Sequence, residues 1–369
     1  MKEIRTIGFI GFGLIGGSIA RILRSASPSL TLFAYDHHRD TVSPGLSAAL
    51  RDGVLDRVEK SLSAFSAADL IFLCAPVLRN IEYLRALSAI VPPDCILTDV
   101  GSVKGNIHAA AAECGLSGQF IGGHPMAGSE QTGYRSSSTE LLENAYYILT
   151  PSPKTPARLT DYMTELVRGF RAIPVLLTPE EHDNITAAIS HVPHIIAAQL
   201  VNLVRAEDDE KERMRMLAAG GFKDITRIAS SSPEMWRNVC LTNAAGIKRT
   251  LDRYIASLSE VSEALSRGDS SYFYDIFEQA GSYRSSIPNG KGMLNRFFEV
   301  FIDISDEAGA IATIATLLGA NGISIKNIGI LHNREFEQGV LRIEFYEEEA
   351  LAKGKRLLTS HNYTIYERN

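Results

Sequence analysis

The chain has 369 residues, of which 45% are apolar and 22% are charged, a composition typical of a globular protein with a sizeable core. At about 100–200 residues per domain, this length predicts two or three domains. The net charge of −6 excludes a broad basic surface for nucleic acid, so an anionic substrate would need local cations.

The cysteines are scattered along the chain without a C-x-x-C pair, at Cys74, Cys95, Cys114 and Cys240. This spacing favours reduced thiols in a cytoplasmic protein over a disulfide framework or a zinc site. We expect no signal peptide, because the first apolar run is rich in glycine and lacks a cleavage pattern. No stretch approaches the roughly 20 uninterrupted apolar residues of a membrane span, so we expect no membrane association.

Short apolar runs alternate with helical patterns over residues 1–175. This alternation predicts a parallel sheet with crossover helices, the α/β Rossmann class. The predicted strands are residues 6–10, 30–35, 69–74, 95–99, 120–123 and 146–149.

The first strand runs into a G-x-G-x-x-G fingerprint that opens a helix. We expect Gly11 to allow a tight turn, Gly13 to admit a pyrophosphate, and Gly16 to let helix and strand pack closely. Leu14 and Ile15 begin the helix, whose free N–H groups face the phosphates.

Asp36 follows the second strand at the spacing of a ribose-binding carboxylate. A carboxylate there repels a 2′-phosphate, so the sequence predicts NAD rather than NADP, although Arg39 lies nearby. Ala75 and Pro76 form a small-residue turn after the next strand, where a flat nicotinamide could pass.

Two polar loops follow the strands that end near residues 99 and 123, at the edge where doubly wound sheets bind ligands. His124 is the only histidine on these loops, and a histidine can accept a hydroxyl proton as hydride leaves the same carbon. The alternative is an ordinary surface histidine.

From residue 176 to 286 the pattern becomes helical. Thr178, Pro179 and Glu181 predict the first helix start through a capping box. A heptad stripe follows, which fits either a core helix or a helix at a dimer interface. Its members are Ile247, Leu251, Tyr254, Leu258, Val261 and Leu265.

Ser190, His191 and His194 can share one helix face, and Pro193 should bend that helix. A metal site is improbable there, because no acidic partner lies near the two histidines. Lys223 and Arg227 lie in a segment where two glycines interrupt the helical pattern. They offer cations for a carboxylate, although a solvated charged turn is the simpler interpretation.

Residues 287–296 resemble a linker, being small, polar and interrupted by Pro288 and Gly290. Residues 297–369 then read βαββαβ, the order of a small ferredoxin-like sheet with both helices on one face. In this domain a turn at Asn321 and Gly322 ends the first helix, and a strand is predicted from Ile323.

Five segments in this order resemble prephenate dehydrogenases, and the C-terminal part resembles an ACT domain, a module that binds amino acids. The segments are GFGLIGGS, TDVGSVK, GGHPMAGSE, SHVPH and GGFKDITR. The resemblance implies a Rossmann domain, an all-α dimerisation domain, a homodimer, and NAD-dependent oxidative decarboxylation of prephenate to 4-hydroxyphenylpyruvate.

The resemblance also implies roles for single residues. His124 would deprotonate the ring hydroxyl, Ser102 would orient it, and Arg227 would bind a carboxylate. Ser190, His191 and His194 would line the pocket, with Glu130 near its mouth. Lys223 stands where many relatives have arginine. A lysine keeps the positive charge but lacks the planar guanidinium fork.

The C-terminal domain is predicted to bind an amino acid, most plausibly L-tyrosine, and to lower activity. Its expected contacts are Asp306, Gly309, Asn321 and Ile323; a purely structural dimerisation module is the alternative. The rival functions are an arogenate-preferring enzyme, a β-hydroxyacid dehydrogenase and a non-catalytic sensor of NAD and amino acid.

Overall fold

The computed structural model describes residues 3–38, 40–128, 131–287, 298–304, 307, 309–331 and 339–366. The chain forms two compact units, residues 1–292 and 293–369. The division lies inside the predicted linker 287–296, most of which is outside the described residues. The predicted boundary at 175/176 lies within the first unit.

An eight-stranded sheet forms the first part of unit 1. Its strands are β1 (Thr6–Ile10), β2 (Thr31–Tyr35), β3 (Arg57–Glu59), β4 (Leu70–Leu73), β5 (Ile96–Asp99), β6 (Phe120–Pro125), β7 (Tyr146–Pro151) and β8 (Ile173–Leu176). Their order is β3-β2-β1-β4-β5-β6-β7-β8. The prediction of a wholly parallel sheet was wrong at one place, because β6 and β7 pair antiparallel.

Two strands were missed in the sequence, and both lie at the edges of the sheet. β3 is only three residues long and carries two charges, and β8 contains Pro174, which weakens a strand pattern. Helices cover both faces of the sheet, and each face has its own apolar core. They are α1 (Leu14–Ala26), α2 (Pro44–Arg51), α3 (Val77–Leu87), α4 (Gly105–Glu113) and α5 (Ala157–Gly169).

Helices make up the rest of unit 1. They are α6 (Pro179–Thr186), α7 (Val192–Glu207), α8 (Arg213–Leu217), α9 (Gly220–Thr226), α10 (Pro233–Thr242), α11 (Ala244–Arg267) and α12 (Ser270–Ser286). The predicted capping box is confirmed: the Glu181 amide donates to the Thr178 side chain, and the Thr178 amide donates to Glu181. The two glycines of GGFKDITR lie inside α9, so the break precedes them, at Ala219.

A π turn, Ala187–His191, joins α6 to α7 into one helical run. Pro193 follows it directly, and a proline removes one main-chain donor from the helix, which a wider turn accommodates. By length and composition the run Pro179–Glu207 could cross a membrane, but that test also admits the central helix of a globular domain. Its polar residues His182, Asp183 and His191 face other helices of this domain and the Rossmann half.

The heptad stripe of α11 is buried only at its start. Ile247 is 6% exposed, whereas Leu258 and Leu265 are 48% and 65% exposed. α12 buries no residue at all and exposes Phe277 by 73%. A core helix along the whole stripe does not account for these exposed apolar faces.

Unit 2 has the predicted βαββαβ order. Its elements are β9 (Phe298–Ile304), α13 (Ala310–Ala320), β10 (Ile325–Leu331), β11 (Gly339–Phe345), α14 (Glu348–Ser360) and β12 (Ile365–Tyr366). The sheet is antiparallel in the order β10-β11-β9-β12, and both helices contribute to one core. The strand predicted from Ile323 begins two residues later, after the positive φ of Gly322.

Candidate active site

The glycine fingerprint makes a turn that only glycine fits at its first position. Gly11 has φ +83°, and a Cβ there would lie 2.5 Å from the Ala75 amide nitrogen. A Cβ on Gly16 would lie 2.9 Å from the Gly11 carbonyl oxygen, so the helix packs directly on the turn. Gly13 has open space around it, which leaves room for a ligand beside the start of α1.

A cleft of about 550 Å³ opens at this turn, within the size range of cofactor sites. It runs along the carboxyl edge of the sheet from the fingerprint to the end of β2. Its lining residues are Gly11, Phe12, Gly13, Tyr35, Asp36, His37, Ser43, Leu46, Cys74, Ala75, Pro76, Arg79 and Tyr83. Leu14 and Ile15 lie in the first turn of α1, at the edge of the cleft.

The turn of Ala75 and Pro76 is held by Asn80, which the sequence analysis missed. The buried Asn80 amide donates to the Leu73 carbonyl at 3.1 Å and accepts from the Ala75 N–H at 3.0 Å. An asparagine five residues after a small-residue turn was the available signal. The side chain fixes the wall of the cleft where we expect the nicotinamide.

Asp36 lies at the far end of the cleft and is 2% exposed. Its carboxylate accepts the amides of His38 and Ser43 at 3.1 and 2.8 Å, and the Lys60 ammonium at 3.1 Å. Burial would raise the pKa of Asp36, but these donors outweigh it and lower the pKa. Asp36 is therefore an ionised acceptor, as the ribose prediction requires.

Asp36, His37 and His38 also present ligand atoms within 4.8 Å of one another, a spacing that could suit a metal ion. The carboxylate is already bound by two amides and an ammonium group, so a cation would have to compete with Lys60 for it. We infer no metal site from this group.

A buried ion pair joins the two polar loops that follow β5 and β6. The Lys104 ammonium pairs with Asp99 and donates to the Gly123 carbonyl at 2.7 Å, and both charged side chains are 0% exposed. Asp99 also accepts the amides of Gly101 and Gly123. The loop of Ser102 and the strand of His124 are thus tied together. Burial lowers the pKa of Lys104, and Asp99 opposes that shift.

His124 lies near the end of β6 and starts a chain of hydrogen bonds. Its Nδ1 is 2.8 Å from Nε2 of His182, and Nδ1 of His182 is 2.8 Å from the Asp183 carboxylate. Asp183 in turn accepts the amides of Lys104 and Gly105 at 2.8 and 2.7 Å, at the start of α4. The sequence analysis missed His182 and Asp183, which lie in a polar run that resembles a solvated helix face.

Burial sets the protonation states in this chain. It lowers the pKa of His124 well below its usual value, and the nearby His182, Lys104 and His191 lower it further. Burial likewise lowers the pKa of His182, although Asp183 opposes this. For Asp183, burial raises the pKa, but His182 and the two α4 amides reverse the shift. The imidazoles are therefore neutral and the carboxylate is ionised.

These states determine which nitrogen of His124 is free. An ionised Asp183 only accepts, so Nδ1 of His182 carries a proton and its Nε2 is a lone pair. His182 then accepts from Nδ1–H of His124. The remaining nitrogen, Nε2 of His124, is an unprotonated base.

His191 and His194 meet Trp236, another residue that sequence reasoning missed, and Ser190 contacts His194 through its main-chain carbonyl. The His194 ring stacks on Trp236 at 4.0 Å, and His194 Nδ1 lies 2.8 Å from the Ser190 carbonyl. His191 contacts Asn243 at 3.1 Å and faces the same indole. The indole N–H is buried and has no hydrogen-bond partner among the described residues.

The remaining predicted substrate contacts lie on short helices against α7. Lys223 is exposed on α9, and Arg227 is exposed where α9 passes into a 3₁₀ turn. Glu130 lies outside the described residues. The structure therefore brings the two cations to the helix that carries His194.

The predicted regulatory residues lie in unit 2. Gly309 has φ +95° and precedes α13, whereas Ile323 packs into the core of the domain. Asn321 and Ile323 also border a depression of about 330 Å³ with Lys353 and Arg356 of α14. Asp306 lies outside the described residues.

Two family models match this chain. One, described as prephenate dehydrogenase, nucleotide-binding domain, matches residues 19–176, and the other, its dimerization domain, matches residues 178–279. A prephenate dehydrogenase of Bacillus subtilis is 37% identical over 353 residues, or 95% of this chain and 94% of the relative. The chain belongs to the prephenate dehydrogenase family. The family recognised in the sequence is confirmed, as are NAD as cofactor and an NAD-dependent oxidoreductase as enzyme class.

Solved structures agree with this assignment. The prephenate dehydrogenase of Aquifex aeolicus, in complex with hydroxyphenyl propionate and NAD+, has a TM-score of 0.72 and 29% identity, covering 78% of this chain and 99% of that chain. The arogenate dehydrogenase of Synechocystis has a TM-score of 0.68 and 29% identity, covering 77% and 100%. The two similarities are nearly equal, so they do not separate the two substrates.

Proposed function

We propose that this chain oxidises and decarboxylates prephenate to 4-hydroxyphenylpyruvate in tyrosine biosynthesis, with hydride transfer to NAD. The observation that carries this proposal is the hydrogen-bond chain from His124 through His182 to Asp183, in the same unit as the cleft at the glycine fingerprint. The named activity of the Bacillus subtilis relative supports the choice of substrate.

In the proposed reaction, His124 Nε2 accepts the ring hydroxyl proton while hydride leaves the same carbon. Bound NAD would supply the hydride acceptor. The bond to the ring carboxylate then breaks, carbon dioxide leaves, and the bonding electrons complete the aromatic ring as a phenolate, to which His124 returns the proton. Ser102, on the loop tied to His124 through Asp99, orients the hydroxyl. Gain of aromaticity removes the need for a metal or a covalent nucleophile.

Binding of the substrate's two carboxylates is proposed for the helical side of the pocket. Arg227 and Lys223 supply positive charge, and Arg227 can form a bidentate pair. Trp236 offers its unpaired N–H, and His194 is held in place by its stack on that indole.

Initial rates with prephenate and with arogenate, followed by NADH absorbance, test this function. Arogenate is a real second candidate, because the Synechocystis relative carries that activity in its name. His124→Asn should cut kcat about 10²–10⁴-fold, the usual worth of a general base. His361→Asn, on unit 2, is the matched control. A protein that binds NAD but turns over neither compound would instead be a sensor.

We further propose that unit 2 is an ACT domain that binds L-tyrosine and lowers activity. Its βαββαβ order and the left-handed Gly309 before α13 support this, because the start of a helix can receive a carboxylate. Tyrosine should inhibit the full-length enzyme, and a chain ending near Pro288 should keep activity and lose inhibition. Absence of binding and inhibition by tyrosine, phenylalanine and tryptophan would favour a structural module.

We also propose a cytoplasmic homodimer. The matched dimerization domain and the exposed apolar faces of α11 and α12 support the dimer. The cysteines are all unpaired, which fits a reducing compartment.

A further inference from the structure

Lys60 makes an unusually complete set of contacts at the adenosine end of the cleft. Its ammonium group donates to Asp36 Oδ2 at 3.1 Å, to the His38 carbonyl at 2.6 Å and to the Thr41 carbonyl at 2.7 Å. An ammonium group has three protons, so all of them are used. Lys60 therefore joins the carboxylate to the main chain that follows it.

The sheet places Lys60 there. β3 pairs with β2 so that Glu59 lies beside Tyr35, and the Asp36 amide donates to the Glu59 carbonyl at 2.9 Å. Lys60 is the next residue after that pair. Its reach to Asp36 is thus fixed by strand register rather than by a flexible loop.

The contacts leave one oxygen of Asp36 able to accept a further hydrogen bond. Oδ2 accepts both the Ser43 amide and Lys60, which fills its two lone pairs. Among the described residues, Oδ1 accepts only the His38 amide, so one lone pair remains in that set of contacts. The carboxylate is held in a single orientation, and Oδ1 is the atom available to a ribose hydroxyl.

We propose that Lys60 is a positioning residue for the cofactor, which acts through Asp36 by fixing Oδ1 toward the ribose of the adenosine. Lys60 itself makes no contact with the cofactor in this proposal. The inference rests on NAD binding in this cleft.

A double-mutant cycle on the Kd of ADP-ribose, measured by calorimetry, tests the proposal. Lys60→Met in the wild-type background should raise Kd about 5–10-fold, the worth of about one hydrogen bond. In an Asp36→Asn background the same change should have almost no effect, because the group through which it acts is already altered. At saturating NAD, the KM for prephenate should be the same for Lys60→Met as for the wild type.

Lys154→Met, an exposed lysine on the β7–α5 connection, is the matched control and should bind as wild type does. If Lys60→Met reduces folding, judged by circular dichroism, Lys60→Gln repeats the cycle with a neutral donor. An equal loss of ADP-ribose affinity in both backgrounds would show that Lys60 acts independently of Asp36. No loss of affinity in the wild-type background would show that Lys60 has no role in binding. Either result overturns the proposal. Failure of the wild type to bind ADP-ribose would instead count against the cofactor site.

Discussion

Replacing Asp183 by asparagine tests the whole proton-accepting chain without touching the base. Oδ1 of Asp183 accepts both the Lys104 amide and Nδ1–H of His182, and Oδ2 accepts the Gly105 amide. Asparagine has a single oxygen, so it cannot accept all three donors. In either orientation of the side chain, its NH2 meets at least one main-chain N–H at the start of α4. The substitution also removes the negative charge that keeps the proton on Nδ1 of His182, so the tautomer that leaves Nε2 of His124 free becomes less favourable.

The size of the effect follows from the contact that the active tautomer would then lose. That tautomer loses its charge-assisted hydrogen bond at the 2.8 Å contact between His182 and residue 183, and one N–H donor beside residue 183 is left unpaired. An unmade buried hydrogen bond costs about 1–3 kcal/mol. At 1.36 kcal/mol per tenfold in rate, kcat for Asp183→Asn should fall about 10–100-fold.

The assay is steady-state NADH formation, with the KM for each substrate and the melting temperature measured alongside. KM should change little, because Asp183 touches neither ligand in the proposed mechanism. Glu181→Gln is the matched control: it removes the same charge two residues away, and glutamine preserves the capping box. A folded Asp183→Asn enzyme with unchanged kcat would refute the assignment of the proton positions.

Four further outcomes are expected. Asp36→Ala should raise the Kd of NAD about 10–100-fold, because one charge-assisted hydrogen bond is lost, and it should reduce the preference for NAD over NADP. A wild-type enzyme that prefers NADP would contradict this prediction. Arg227→Ala should mainly raise the KM for prephenate, by the equivalent of about 2–5 kcal/mol. An unchanged KM would show that Arg227 belongs to a solvated turn and does not bind the substrate. Leu258→Glu should shift the protein from dimer to monomer in sedimentation, and a wild-type monomer would exclude the interface. Burial lowers the pKa of His108 from 6.5 to about 4. The neutral His108 therefore contributes its full stabilisation above pH 6.5, and this contribution is lost as the pH falls toward 4. Over that pH range the melting temperature of His108→Gln should fall less than that of the wild type.

The sequence predicted most of the fold because its signals are local. A strand followed by three spaced glycines, the capping box at Thr178, and the βαββαβ alternation are each written within a few residues. Asp36 and His124 could be assigned to the ligand-binding edge of the sheet in the same way. Each comes at the end of a predicted strand, and the carboxyl ends of parallel strands lie at one edge of the sheet.

The remaining features depend on which strands become neighbours. Lys104 looks like a loop cation until β5 and β6 pair and enclose it beside Asp99. His182 and Asp183 follow a capped helix start, where charged residues are ordinary. Their partners are 58 and 79 residues away. No periodicity in the sequence encodes contacts over such separations. The antiparallel pairing of β6 with β7 could not be predicted for the same reason.

The bond from Asp183 to the first turn of α4 has a consequence for protein engineering. It crosses from the helical half of unit 1 to the Rossmann half. The orientation of His124, the proposed base, therefore depends on main-chain atoms of α4 as well as on His182 and Asp183 of α6. A chimera that combines the Rossmann half of one family member with the helices of another would lose its base whenever α4 and α6 are not seated as they are here. Successful recombination should therefore place the crossover so that TDVGSVK and the start of α6 are inherited together.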